Sequence, residues 1–109
     1  MIAKRKICVV TGTRAEYGLL RNLIRTIHES DDLELILVAT GMHLSEKFGE
    51  TYKEIEADGI PITKKIDLNI IDDSPSSLSE STAIGLNGFG NFFNSSRPDL
   101  LLILGDRYE

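Results

Sequence analysis

Arg14, His43, Asp106 and Arg107 are the side chains whose types and settings suit them to chemistry. Each stands in a short glycine-bearing stretch: Gly12-Thr13-Arg14-Ala15-Glu16-Tyr17-Gly18, Gly41-Met42-His43-Leu44 and Gly105-Asp106-Arg107-Tyr108-Glu109. Two arginines beside glycine turns and a helix start suit a phosphate or diphosphate. Guanidinium offers forked donors, and the first turn of a helix offers unpaired N–H groups with partial positive charge. Asp106 is a poor phosphate contact but a good group for moving a proton or holding a sugar hydroxyl. The competing reading is that Arg14 and Asp106 simply pair across one crevice. His43, in a loop between strand and helix, fits either a ligand contact or a capping role.

Other residues carry less. Gly12-Thr13-Arg14 lacks the second glycine and lysine of a nucleotide P-loop, and no G-x-G-x-x-G follows the first apolar run. Gly85, Gly88 and Gly90 fall inside a helical pattern and read as packing. His28 is expected at the surface, and Cys8 reads as a small core residue with nothing nearby to activate it. Asp72-Asp73 has no third ligand near it, so a solvated loop is expected and no metal site is assigned. Asn94-Ser95-Ser96 fits a glycosylation acceptor, which matters only in a secreted protein.

The chemistry-bearing residues span most of the chain, so only a fold can gather them. Lys6 to Thr11 reads as a first strand, rich in β-branched residues and closed by Gly12. Leu20, Leu23, Ile24 and Ile27 then recur at helical spacing, predicting a helix from about Glu16 to Ser30. Leu33 to Ala39 is nearly all apolar, as a strand covered on both faces would be. Ser45 is the expected cap of a second helix carrying Phe48, Tyr52 and Ile55, stopped by Gly59 and Pro61. Ile60 to Leu68 holds a weaker strand, placed at a sheet edge by Lys64 and Lys65. Asn69 to Ser76 reads as a loop, and Ser77-Leu78-Ser79-Glu80 as a capping box opening a third helix. Leu78, Leu86, Phe89 and Phe93 are expected on its buried side. Its three glycines each cost roughly 1 kcal/mol relative to alanine, unless a neighbour packs close. Asp99 to Leu104 is the fourth strand.

This β-α-β-α-β-α-β alternation predicts an α/β fold, a doubly wound parallel sheet in the order 3-2-1-4 with helices on both faces. Ligands in such sheets sit outside the carboxyl ends of the strands, where the winding reverses. That point falls between strands one and four, so the loops after them should meet, with the His43 loop next door. The chain stops at Glu109, where a covering helix should follow, and so reads as the front part of a longer protein.

The chain has 109 residues, one small domain, and 12 basic against 17 acidic side chains leave a formal charge of −5. That balance argues against a nucleic-acid partner. A single cysteine excludes an internal disulfide and is compatible with a reducing compartment. No run approaches the roughly 18 apolar residues of a membrane helix, and the short run after Lys4-Arg5-Lys6 is not a signal peptide. A soluble, cytoplasmic protein without membrane partners is expected.

Three blocks also carry a resemblance. The stretch Gly12 to Gly18, the stretch Thr40-Gly41-Met42-His43-Leu44-Ser45 with Phe48-Gly49-Glu50-Thr51 and Glu54-Ile55-Glu56-Ala57-Asp58-Gly59, and Leu104-Gly105-Asp106-Arg107-Tyr108-Glu109 resemble the hydrolysing UDP-N-acetylglucosamine 2-epimerases. They occur in family order and cover nearly the whole chain.

The resemblance implies a Rossmann-like N-terminal domain, truncated after its fourth strand, of a two-domain glycosyltransferase-B-like enzyme. The C-terminal UDP-binding domain lies beyond Glu109. It implies conversion of UDP-N-acetylglucosamine, or a related UDP-diacetamido sugar, to UDP and the free 2-epimer. The route is anti elimination to a glycal followed by syn addition of water, feeding sialic or legionaminic acid synthesis. No metal or redox cofactor is implied, and a homo-oligomer is expected. Arg14 and Arg107 resemble UDP-contacting arginines, Asp106 the acidic residue near the sugar ring, and His43 a sugar-side pocket residue. Gly18 stands where some relatives carry a UDP-contacting serine, so only a backbone contact is expected there. A glycosyltransferase-B enzyme or a non-hydrolysing epimerase on the same scaffold is the neighbouring alternative, and Ala15 and Arg107 favour the hydrolysing over the non-hydrolysing branch. A small flavodoxin-like nucleotide-binding module is the remaining alternative, but the stacking aromatics it needs are missing.

Overall fold

Alternating side chains of the first two apolar runs point to opposite faces, and both faces are covered. The computed structural model describes residues 4–45, 49–70 and 72–105. Its elements are β1 (Arg5–Thr11), α1 (Arg14–Glu29), β2 (Leu33–Thr40), a 3₁₀ turn (Gly41–Leu44), α2 (Tyr52–Ala57), β3 (Lys64–Ile66), α3 (Pro75–Ser96) and β4 (Leu100–Leu102). The four strands form one sheet in the order β3-β2-β1-β4, and every pairing is parallel. Arg5 to Thr11 run in register with Leu33 to Ala39, while Ile7 to Val9 lie beside Leu100 to Leu102. The predicted strand order therefore holds.

On one face Ile7, Val9 and Leu37 pack with Tyr17, Leu20, Ile24 and Ile27 of α1 and Ile55 of α2. On the other, Cys8, Val10, Ile36, Val38 and Ile66 pack with Leu68 and with Phe89, Phe92 and Phe93 of α3. The buried Cys8 thiol is pushed up to about 11 by desolvation, which keeps it protonated and unreactive. His28 is exposed, as expected.

Several element boundaries differ from the sequence expectation. Helix α1 starts at Arg14 rather than Glu16, which brings Tyr17 into the buried stripe and leaves Leu23 41% exposed. Helix α2 is shorter than predicted: Ser45 closes the 3₁₀ turn instead of opening the helix, and Phe48 lies outside the described residues. The cap of α3 is Ser74, whose Oγ accepts from the Ser77 N–H at 3.3 Å, with Pro75 in the first turn. Ser77 thus lies inside the helix it was expected to cap. Strand β4 is limited to Leu100–Leu102 and forms the edge opposite β3, so its leucines are largely exposed.

The buried side of α3 also differs. Leu86 is 79% exposed and Leu78 only partly covered, because the helix meets the sheet through small residues. A Cβ at Gly85 would stand 3.0 Å from Leu68 Cδ2, and one at Gly88 3.0 Å from Ile66 Cγ2. Leu86 is one step, about 100°, away from Gly85 around the helix. Gly90 meets nothing within 4 Å. Gly90→Ala is therefore expected to raise stability by about 0.5–1 kcal/mol through helix propensity. Gly85→Val should lower it by about 2 kcal/mol through overpacking. Urea midpoints of the two variants moving in the same direction would refute this division.

Candidate functional site

The carboxyl ends of β1 and β4 form one rim. Thr13 is the cap of α1: its Oγ1 accepts from the Glu16 N–H at 3.1 Å, and Glu16 Oε1 reaches back to accept from the Gly12 N–H at 3.0 Å. This is a capping-box arrangement, and the Thr13-x-x-Glu16 spacing carries its signature in the sequence. The same carboxylate leans toward β4. A Cβ on Gly105 would lie 3.3 Å from Glu16 Oε2, and Gly105 sits at φ +87°, a conformation that favours glycine. The turns after β1 and β4 thus touch across Glu16. Asp106 and Arg107, the next residues along, lie outside the described residues.

Helix α1 contributes the first N–H groups of the rim, those of Arg14 and Ala15, which have no acceptor within the helix. Gly18 lies one turn further along the helix, exposed, with nothing within 4 Å of where a Cβ would be. Arg14 opens α1 at this rim. Its side chain is 72% exposed, and its Nε donates to Glu54 Oε2 of α2 at 2.8 Å. Glu54 is thus its observed carboxylate partner.

His43 is fully buried behind the tip of β1. Its Nε2 lies 2.9 Å from Thr11 Oγ1 and its Nδ1 2.9 Å from Thr51 Oγ1, while the Thr11 hydroxyl donates to the Thr13 carbonyl at 3.3 Å. The chain is satisfied throughout when the neutral ring carries its proton on Nε2 and accepts from Thr51 at Nδ1. Desolvation lowers the His43 pKa from 6.5 to about 4, so the ring is neutral at physiological pH. The Met42 N–H donates to the Gly12 carbonyl at 2.9 Å, a second tie between the two loops. The histidine expected in a sugar-side wall therefore braces that wall from behind, with both ring nitrogens already engaged.

Sequence reasoning missed a charged cluster beside the rim. Tyr17 donates to Asp58 Oδ2 at 2.5 Å, and an Arg21 terminal nitrogen donates to Glu54 Oε1 at 3.1 Å. Arg21 Nε lies 2.9 Å from Asp58 Oδ2 but off the hydrogen-bond line, so that contact is one of charge alone. The Arg21 guanidinium also stacks 5.1 Å from the Tyr17 ring centre. The Arg14 hydrogen bond holds Glu54 below the usual carboxylate range, and the Tyr17 hydroxyl does the same for Asp58. Burial, reinforced by Asp58, raises the Tyr17 phenol. Arg14, Tyr17 and Arg21 fall at i, i+3 and i+7 of one helix, and Glu54 and Asp58 at i and i+4 of another. That spacing was the available signal.

The rim and its surroundings can be set beside known proteins. The chain is 49% identical over 108 residues to the GDP/UDP-N,N'-diacetylbacillosamine 2-epimerase (hydrolyzing) of Campylobacter jejuni, covering 99% of this chain and 28% of that one. It is 43% identical over 105 residues to the UDP-N,N'-diacetylbacillosamine 2-epimerase (hydrolyzing) of Legionella pneumophila, covering 96% and 28%. The chain thus spans a little over a quarter of the length of these relatives. A crystal structure of a UDP-N-acetylglucosamine 2-epimerase superposes with a TM-score of 0.75 over 97% of this chain and 28% of its own, at 24% identity, which shows a shared fold. Residues 25–109 match the family described as UDP-N-acetylglucosamine 2-epimerase, from the middle of α1 through the rim after β4, and to that family the chain belongs.

Proposed function

We propose that residues 1–109 are the front of the Rossmann-like N-terminal domain of a hydrolysing 2-epimerase. The substrate is a UDP-linked 2-acetamido sugar. A glycosyltransferase-B-like second domain, which holds the UDP, corresponds to the remaining length of the relatives. The single observation that supports this reading is the approach of the β1 and β4 turns through Glu16 and Gly105, which brings the turn carrying Arg14 to the residue that Asp106 and Arg107 follow in sequence.

In the proposed reaction a base removes the proton at C2 while the C1–O bond to the diphosphate breaks, releasing UDP and leaving a C1–C2 glycal. Water then adds, its hydroxyl to C1 and a proton to C2 on the face opposite to the original hydrogen, giving the free 2-epimer. Arg14 and Arg107 carry the departing charge, and Asp106 moves or orients the proton at the ring. Gly18 offers a backbone contact, and His43 keeps the β1 tip in place. The balance contains no redox step.

The names of the two relatives favour a UDP-diacetamido sugar over UDP-N-acetylglucosamine. Among the described residues no helix is long and apolar enough to cross a membrane. We place the enzyme in the cytoplasm as a homo-oligomer.

The test uses the full-length protein in heavy water with each sugar nucleotide. Free UDP and a free sugar carrying deuterium at C2 are expected, with faster turnover of the diacetamido substrate. An unlabelled C2 rules out the elimination route. A 2-epimer still attached to UDP would place the protein in the non-hydrolysing branch.

A further inference from the structure

We propose that Glu54 is a positioning residue that holds Arg14 extended at the rim, with its forked end open for a diphosphate. The proposal rests on reading that rim as the seat of a UDP-sugar. Its basis is which atom of Arg14 is engaged. Glu54 Oε2 takes Nε, at 2.8 Å, and not the terminal nitrogens. The guanidinium is therefore anchored through its inner nitrogen, while among the described residues nothing engages the terminal pair that matches phosphate geometry, on a side chain that is 72% exposed.

Glu54 is held in turn. Its other oxygen accepts from Arg21 at 3.1 Å, and Arg21 is fixed by charge contact with Asp58 at 2.9 Å and by stacking on Tyr17. Tyr17, fully buried between α1 and the sheet, bonds Asp58 and ties the cluster to the core.

A gripping arginine loses rotamer freedom, and an anchor present beforehand removes part of that cost. The carboxylate also has an opposite effect, because its negative charge weakens the local attraction for phosphate. The two effects separate by substitution. Glu54→Gln keeps an accepting oxygen and drops the charge. Glu54→Ala drops both.

In the full-length protein, Glu54→Ala is expected to weaken UDP affinity about tenfold. Glu54→Gln should stay within about threefold of the parent, or bind more tightly, by losing charge without losing the acceptor. In an Arg14→Ala background, Glu54→Ala should have no further effect on UDP affinity, which a general loss of folding would not reproduce. The Arg14 Nε–H resonance, read without any ligand, should shift and exchange faster in Glu54→Ala.

Unchanged or tighter UDP binding by Glu54→Ala overturns the proposal, and so does an Arg14 Nε–H signal indifferent to that change. If the parent protein binds no UDP while the signal still responds, the reading of the rim fails and the anchor stands as a structural contact.

Discussion

Asp106→Asn in the full-length enzyme is expected to lower kcat by about a thousandfold while UDP affinity changes by less than about threefold. The substitution keeps the size of the side chain and one accepting oxygen, so it leaves the shape of the rim intact. It removes the capacity to take up a proton, and positioned acid–base groups contribute about a hundred- to ten-thousandfold to such steps. The neighbouring position should behave oppositely. On the proposed reading Arg107→Ala removes a cation that would carry the departing diphosphate, so its loss should fall on UDP affinity as well as on turnover. Gly105 adopts φ +87° against the Glu16 carboxylate, so the backbone turns sharply just before Asp106. Equal losses in affinity and turnover for Asp106→Asn would move Asp106 into the group that binds UDP. Steady-state rates with a titration of UDP inhibition separate the two outcomes.

The strand order was legible because it follows from few signals. The Cys8–Val10 and Ile36–Ala39 runs are apolar at every position, which only a strand covered on both faces tolerates, while Lys64 and Lys65 mark an edge. Once β1 is central, adjacency of its tip with that of β4 follows from the winding. What was misread depended on local competition between hydrogen bonds. Ser45 and Ser77 are both sound helix caps by type, yet one closes a 3₁₀ turn and the other lies one turn inside α3, because Ser74 before Pro75 caps that helix. Leu86 was expected inside on hydropathy alone. The close approach of α3 to Leu68 and Ile66 needs glycine at 85 and 88, which rotates Leu86 outward.

The site was read less completely than the fold for a related reason. Arg14 has its partner in Glu54, forty positions along the chain, and nothing near Arg14 in sequence encodes how α1 lies against α2. His43 was singled out because a histidine in such a loop often meets a ligand. Its two threonine partners, Thr11 and Thr51, are each unremarkable in sequence, and only the fold brings them to either side of one ring.

That buried ring makes stability depend on pH in a window of its own. His43 has an ordinary pKa of 6.5 when unfolded and one lowered to about 4 in the fold, so between these values the unfolded chain binds the extra proton. Stability is therefore complete above about pH 6.5 and declines as pH falls toward 4, by about 3 kcal/mol in all. Glu54 and Asp58 are both held below their ordinary carboxylate values, so their contribution is lost only at lower pH. The slope between pH 6 and pH 5 thus belongs to His43. Urea unfolding of the parent should show it, and His43→Gln, less stable at neutral pH, should be nearly flat across that interval. Because His43 braces Thr11 and the Met42 N–H bonds the Gly12 carbonyl, a proton on the folded ring would enter just behind the rim, but the folded ring takes it up only near pH 4. UDP affinity should therefore hold steady between pH 6 and pH 5 and fall only as the pH approaches 4, in the parent and not in the variant. Equal stability slopes in both proteins would show that another group titrates there and that the fold does not hold the His43 ring neutral.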